Sequence, residues 1–413
     1  MLRIIFFLVC KLYLFAVTPD VDFAEETLMG DWNGARSYLQ EKGVHISISY
    51  VNDLLGNPIG GERQGFANAG SLGVNLSLDF EKMACIRGLS FFSSFVYRSG
   101  NNLSSEYINN QFPVSQVFGG ETYRLNELYL QEAYEDLFTL KAGRLCGGND
   151  FLASPFYCKY VSNAFCGNPI SIFFNVPFTA YPHSTWGAYL SFKPHPSFLM
   201  RSAIYNANRY ISKNKYHGAN FTFHSTQGAL LITELVYLFN QLGCGLPGNY
   251  KIGGYYTTGT SLKFTQKTQK GNYGYYFLFD QMLYQKETDQ ELTYFLALLF
   301  APKNRNRFPF FLSSGLIYQG IGSRSLDSIS CGVAYGSYSS DLRHVQKIAR
   351  STRTNSPFGN HPQTAETVLE INYWFQVNKW LALTPDIQYI INPKGYSFIK
   401  NALVLGVEVS IKI

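Results

Sequence analysis

Charge is scarce in this sequence. Of 413 residues only 15% are Asp, Glu, Lys or Arg, against about 25% in an ordinary soluble domain. That deficit argues against a string of soluble domains with fully wetted surfaces. Long apolar runs are scarce as well. Past residue 17 the longest is "LTYFLALLFA" at 292–301, about half of the ~20 residues a membrane-crossing helix needs. Mean hydropathy is only −0.07. A mature bundle of transmembrane helices is therefore excluded. Proline is sparse, with 16 residues. No C-x-x-C pair occurs among the seven cysteines, which argues against a structural zinc site. No dense basic run precedes 343–353, although net charge is +6, so there is no nucleic-acid footprint. Neither G-x-S-x-G, H-E-x-x-H nor a P-loop is present. Ser184 beside His183 is adjacency, which rarely gives a nucleophile–base geometry, and His195 reads as a solvated turn residue. An enzyme is not expected, nor is a cofactor.

What the chain does have is aromatic rings and a period of two. Phe, Tyr and Trp make up 16% of the residues, with 34 Phe and 30 Tyr. In "SLGVNLSLDF" (71–80), Leu72, Val74, Leu76, Leu78 and Phe80 alternate with Ser71, Gly73, Asn75, Ser77 and Asp79. "LVLGVEVSI" (403–411) alternates in the same way. In "VLEINYWFQ" (368–376), Leu369, Ile371, Tyr373 and Phe375 oppose Glu370, Asn372, Trp374 and Gln376. Segments of about 10 residues, half apolar and half polar and closed by turn residues, suit strands with lipid on one side and water on the other. A soluble sandwich also alternates. Here, however, the pattern persists to the last residues, and so long an alternating chain must close on itself or leave open edges. Tyr and Phe cluster near segment ends, as in "YGYYFLFDQMLY" (273–284), where interfacial girdles belong. The expectation is an all-β, antiparallel transmembrane β-barrel.

Four regions fall outside the alternation. "MLRIIFFLVCKLYLFAV" opens with Arg3 and an apolar stretch, the pattern of a signal peptide covering 1–24 with cleavage near 18–24. "GDWNGARSYLQEKGV" (30–44) predicts a helix over 31–42, with Asp31 as N-cap and Gly43 as C-cap. Residues 101–120 and 339–366 read as long loops. The second carries His344, Lys347, Arg350 and Arg353 at near-helical spacing, on what reads as a charged, solvated loop. Six cysteines follow Cys10, and Cys158 with Cys166 is the candidate disulfide pair, the alternative being two reduced thiols.

Taken in order, several stretches resemble the carbohydrate-selective porins of Gram-negative outer membranes, the OprB-like family. They are 30–44, "NPIGGERQGFANAGSLGVNLSLDFEKM" (57–83), "YRSGNNLS" (97–104), "YRLNELYLQEAYEDLFTLKAGRLCGGNDF" (123–151), "NAFCGNP" (163–169), "YPHSTWGAYL" (181–190) and "ETVLEINYWFQVNKWLALTPDIQYIINPKG" (366–395). The resemblance implies about 16 strands, a monomer or homotrimer in the outer-membrane lipid, and facilitated diffusion of glucose-type sugars and other small hydrophilic solutes past a charged and aromatic constriction. Carried over by position, it places Arg98, Glu62 and Trp186 at that constriction, with Arg124, Glu127 and Gln131 as further lumen candidates. The chain departs from the family pattern at its last residue, where Ile413 stands in place of an aromatic.

These residue types suit sugar transit. An aromatic face takes the C–H side of a pyranose, Arg offers a rigid fork of donors, and Glu offers acceptors. On sequence alone, Trp186 could equally belong to an interfacial girdle, Arg98 to a strand end and Glu62 to a solvated loop. The competing functions are a general ion and small-solute porin, and a plugged structural or adhesive barrel.

Overall fold

In a computed structural model, described over residues 23–117, 120–208, 213–239, 245–286, 290–352 and 361–413, sixteen antiparallel strands close into one barrel. The expected leader up to residue 22, together with Cys10, Cys244 and Arg353, lies outside those residues. The strands are β1 (Val44–Gly61), β2 (Gly65–Asp79), β3 (Leu89–Gly100), β4 (Thr122–Tyr134), β5 (Phe138–Leu145), β6 (Thr185–His195), β7 (Phe198–Asn206) and β8 (Ala229–Phe239), followed by β9 (Gly248–Leu262), β10 (Thr268–Lys286), β11 (Gln290–Phe300), β12 (Phe310–Ile321), β13 (Arg324–Ser337), β14 (Ala365–Gln376), β15 (Leu381–Ile391) and β16 (Lys400–Lys412). Each pairs with its sequence neighbours, and β1 closes on β16 through a register that sets Asp53 against Glu408. Closure leaves no unpaired edge, which a lipid environment demands.

The alternation read in the sequence maps onto the two faces. Leu369, Ile371 and Phe375 are exposed on the outer side of β14, while Glu370 and Asn372 are buried inside. On β16, Leu405 faces out and Ala402 and Val404 face in. Exposed rings mark the two rims. Tyr97 and Tyr123 lie where β3 and β4 meet their long connection, and Tyr134, Phe138, Phe198 and Tyr237 lie at the opposite rim. The connections are unequal. One rim has tight turns such as 135–137 and 322–323, and the other carries the long segments 101–121, 146–184, 207–228 and 338–364. Short periplasmic turns and long outer loops are the pattern of such barrels.

Two expectations need correction. The N-terminal helix runs Ala35–Glu41 instead of 31–42, because Trp32, Asn33 and Gly34 all take positive φ and hold off helical geometry. Asp31 still serves it, since its carboxylate accepts from the Ser37 amide at 2.8 Å and the Ser37 hydroxyl at 2.9 Å. Arg36, buried on this helix, donates to the carbonyl oxygens of Ile413 and Ile46, and the Ile413 amide bonds Ile48. The non-aromatic last residue is thereby tied into the barrel. The second correction concerns 339–366, which contains a helix, Ser340–Thr352. His344, Lys347 and Arg350 lie on its exposed face, and Leu342, Gln346 and Ala349 are buried.

Candidate functional site: the lumen and its in-folded loops

The lumen is not an open cylinder. Segments 101–117 and 146–184 fold inward and pack on the inner faces of the strands. Phe151 meets Tyr189 and Tyr205 edge to face, and Tyr157 meets Phe295. Tyr160 stacks on Phe165 and also meets Phe295 edge to face. Phe112 packs on Phe308 and Phe311. Glycines on the wall make room for these rings. A Cβ on Gly315 would come within 2.1 Å of the Tyr160 hydroxyl oxygen. That hydroxyl donates to the Cys331 carbonyl at 2.9 Å.

Inward-facing charges hold the backbone of these segments, which cannot satisfy itself in a strand or helix. Glu366 accepts the amides of Gln111 and Phe112, each at 2.7 Å, and that of Lys394. Four residues along β14, Glu370 accepts the amides of Val161 at 2.7 Å and Ser162 at 3.2 Å. Lys141 pairs with Asp150 at 2.7 Å and Arg201 with Glu234 at 3.2 Å, while Glu234 also accepts the Leu152 amide. Asp280 accepts from Ser154 at 2.6 Å.

A second set of inward side chains lies on the arc from β4 through β1 to β14. Arg98 stacks its guanidinium 5.0 Å from the Tyr181 ring centroid and donates to the Gln116 carbonyl. Arg124, on the next strand, donates to Asn214. Asp53 accepts from Ser115 at 2.5 Å and is within electrostatic reach of Arg98. Glu408 lies opposite Asp53, and Asp386 faces in on β15. The arc is therefore basic at β3 and β4 and acidic at β1, β16 and β15. His183, on the in-folded segment, is pushed down to about 3 by burial and by the nearby Arg124 and Arg98 cations, so it is a neutral imidazole at physiological pH. Burial raises the Tyr181 phenol. Trp374 also faces in. Its indole N–H donates to Gln376 at 2.9 Å, and the Lys159 ammonium lies 5.2 Å from its ring centroid.

The residues singled out in the sequence separate. Arg98 and Arg124 are inward, as described. Glu127 is also inward but enclosed, since its carboxylate accepts from the Cys146 amide at 2.8 Å and from Asn149 at 2.7 Å, which makes it an anchor for the start of 146–184. Gln131 is half-buried on the inner face toward the tight-turn rim. Glu62 does not face Arg98. It is exposed in the β1–β2 hairpin and accepts from Asn109 at 2.6 Å. Trp186 is on the outer face. Register pairs it with Arg144, and the same face carries Ala142, Ala188, Leu140 and the exposed Leu190. The inner face of that strand pair carries Lys141, Gly143, Gly187 and the buried Tyr189. The Trp186 indole N–H donates to the Phe221 carbonyl. The girdle alternative fits this position, and the indole that faces the lumen is Trp374. Alternation in 368–376 had already put Trp374 on the side of Glu370 and Asn372. Cys158 and Cys166, the candidate disulfide pair, are both free thiols, Cys158 exposed and Cys166 buried.

A closed 16-strand barrel with tight turns at one rim, long loops at the other, aromatic girdles and a polar inner face is an outer-membrane porin. The description "Carbohydrate-selective porin, OprB family" matches residues 63–413, and the chain belongs to that family. It is similar to "Porin B" of Pseudomonas aeruginosa, 27% identical across 92% of this chain and 90% of that protein. It is also similar to a "Putative porin QuiX" of Acinetobacter baylyi, 24% identical across 92% of each. Among solved structures, the high-pH form of Pseudomonas putida OprB superposes with a TM-score of 0.88 at 25% identity, covering 95% of this chain and 100% of that one. The chain is a multi-pass β-barrel of a Gram-negative outer membrane and a channel for sugars and small solutes, not an enzyme.

Proposed function

We propose that neutral, glucose-type sugars pass along the arc between the in-folded segments and strands β14–β16 and β1–β4, with Arg98 and Arg124 on one flank and Asp53, Glu408 and Asp386 on the other. The observation that carries this reading is the segregation of inward charge along a single stretch of wall. A transverse field there favours solutes whose hydroxyls both donate and accept, and it disfavours apolar ones. Trp374 offers the C–H faces of a sugar a ring on the same wall. Weak, repeated contacts of this kind let a solute enter and still leave.

Single-channel conductance of the refolded protein in a planar bilayer, titrated with glucose and maltose, tests the proposal. Saturable block by sugar supports it. Steady conductance indifferent to sugar marks a general ion and small-solute porin. A folded, inserted protein that does not conduct marks a plugged barrel. The monomer and homotrimer are separated by the mass of the detergent-solubilised assembly.

A further inference from the structure

The long-loop rim over β9–β12 concentrates positive charge that the solute path does not use. Residues 248–279 and 292–323, which supply most of these strands and both of the connections between them at this rim, contain no Asp or Glu. Lys263 and Lys267 close the β9–β10 turn, Lys270 follows on β10, and Lys303 and Arg305 lie in the β11–β12 connection. Lys267, Lys270 and Lys303 are exposed, and Lys263 and Arg305 are half-buried. Among the described residues the ion pair in this group joins Lys303 to Asp341 at 3.5 Å, so one carboxylate faces five cations. The two connections form one platform. The Phe264 amide donates to the Asn304 carbonyl at 3.1 Å, and the Lys263 amide to the Lys267 carbonyl at 2.9 Å. Asn306, fully buried, donates to the Pro302 carbonyl at 2.8 Å and to Asn272. Arg305 donates from Nε to Asn272 at 2.9 Å, and its guanidinium lies 5.5 Å from the Tyr273 ring centroid. That ring belongs to the outer wall. Tyr256, Tyr273, Tyr275 and Phe300 are exposed there, with Tyr256 in register with Tyr273 and Tyr275 with Phe300. Phe310 packs on Phe300, 5.4 Å between centroids. Exposed rings of this kind mark the level of the lipid headgroups.

We propose that this surface binds a phosphorylated lipid of the outer leaflet, with its acyl chains against Tyr275, Phe300 and Phe310 and its phosphate among Lys263, Lys267, Lys303 and Arg305. The juxtaposition selects the ligand class. A free phosphate would use the cations and leave the ring belt without a role. An uncharged lipid would use the rings and leave the cations facing one another. An amphiphile with an anionic head uses both, in the order in which the wall presents them, apolar rings first and cations above. Arg305 is already held by Asn272 and Tyr273, so little of its freedom is lost when it pairs with a phosphate oxygen. The cations do not serve the lumen. Arg305 stands over a ring of the outer face, and the basic flank of the solute path, Arg98 and Arg124, lies on β3 and β4, strands well separated from β9–β12 around the barrel. A lipid held here braces the β9–β10 turn and the β11–β12 connection from the membrane side.

The test is native mass spectrometry of the detergent-solubilised full chain, titrated with lipid A, with monophosphoryl lipid A, and with inorganic phosphate as competitor. The expected result is a lipid A adduct that survives detergent removal, with monophosphoryl lipid A held more weakly. Combining Lys263→Gln, Lys267→Gln, Lys303→Gln and Arg305→Gln should weaken lipid A binding at least roughly tenfold, because each Lys or Arg near a membrane surface adds to the attraction for anionic lipid. Tyr275→Ala with Phe300→Ala should weaken it as well, by a change that leaves every charge in place. Lys193→Gln with Lys286→Gln, at the tight-turn rim, should bind lipid A as the wild type does. A native conductance step shows that each variant folds and inserts. Wild-type affinity in the fourfold variant, or an equal loss in the tight-turn variant, overturns the proposal. Displacement of lipid A by millimolar phosphate, with no effect of the ring substitutions, also overturns it and marks a simple anion patch. Because adduct mass does not depend on sugar block, this result stands or falls separately from the sugar reading.

Discussion

Replacing Glu370 by Leu tests whether buried carboxylates set the position of the in-folded segment. In the wild type Glu370 accepts the Val161 amide at 2.7 Å and the Ser162 amide at 3.2 Å, in the enclosed space between wall and loop. A hydrogen bond to a charged group contributes about 1.5–3 kcal/mol net, so losing both weakens docking of this turn by roughly 3–6 kcal/mol. The lower end is about a 100-fold shift in the equilibrium between docked and displaced turn, at 1.4 kcal/mol per tenfold. The Tyr160 and Phe165 rings still occupy the space over Gly315 and Gly332, so the turn loosens without leaving. The expected record is a larger mean conductance with added open-channel flicker and a weaker sugar block. Glu370→Gln, which retains one acceptor oxygen, should fall between the two. If Glu370→Leu folds and inserts yet shows wild-type conductance, noise and sugar block, the carboxylate does not position the turn and the reasoning fails.

Removing Arg98 and Arg124 together by alanine substitution should move the reversal potential in a salt gradient toward cations, by roughly threefold in permeability ratio, since clefts lined by one sign of charge concentrate counter-ions; an unchanged reversal potential would place the conducting path elsewhere. Trp374→Ala should raise the sugar concentration for half-block by roughly 2- to 10-fold, from a stacking contribution of about 0.5–1.5 kcal/mol, while Trp186→Ala leaves the block intact. Gly315→Val should lower the melting temperature and refolding yield, because its Cβ falls 2.1 Å from the Tyr160 hydroxyl oxygen and overpacking of this kind costs about 1–3 kcal/mol. His183 is held down to about 3 from an ordinary 6.5, so the unfolded chain binds more protons than the folded one between those values. Its contribution to stability is complete above pH 6.5 and is lost as pH falls toward 3, and His183→Gln should flatten that part of the melting-temperature profile.

The barrel was legible because alternation is a backbone property that the lipid–water boundary writes into every strand. The stretches 71–80, 368–376 and 403–411 each place their apolar set on the outer face. The N-terminal helix was misjudged in extent because the conformations of Trp32, Asn33 and Gly34 are not visible in a propensity pattern. The helix Ser340–Thr352 was hidden because its clearest periodicity, His344, Lys347 and Arg350, belongs to the wetted side, and polar periodicity alone also fits a solvated loop. The in-folding of 146–184 left no period at all. Phe151, Tyr157, Tyr160 and Phe165 are placed by the cavities they fill, among them those over Gly315 and Gly332, residues far away in sequence.

The site was only half legible, for a reason particular to barrels with filled lumens. A polar residue on the inner face can line the path or can hold the segment that narrows it, and both tasks select the same residue types. Glu127 and Asp53 are both inward carboxylates. One spends its acceptors on Cys146 and Asn149 at the root of a loop, while the other bonds a loop hydroxyl within reach of Arg98. Sequence cannot separate these tasks, because the partner of each carboxylate is distant in the chain. Parity can be read, but only where a strand's start is known. Trp186 is the second residue of β6, at a junction where the face is not yet fixed, and its neighbours Gly187 and Tyr189 settle it as outward. Trp374 lies only two residues before the end of β14, but it closes a run of alternating residues whose two faces were already clear, and it is in such a run that inward aromatic residues can be sought by sequence alone.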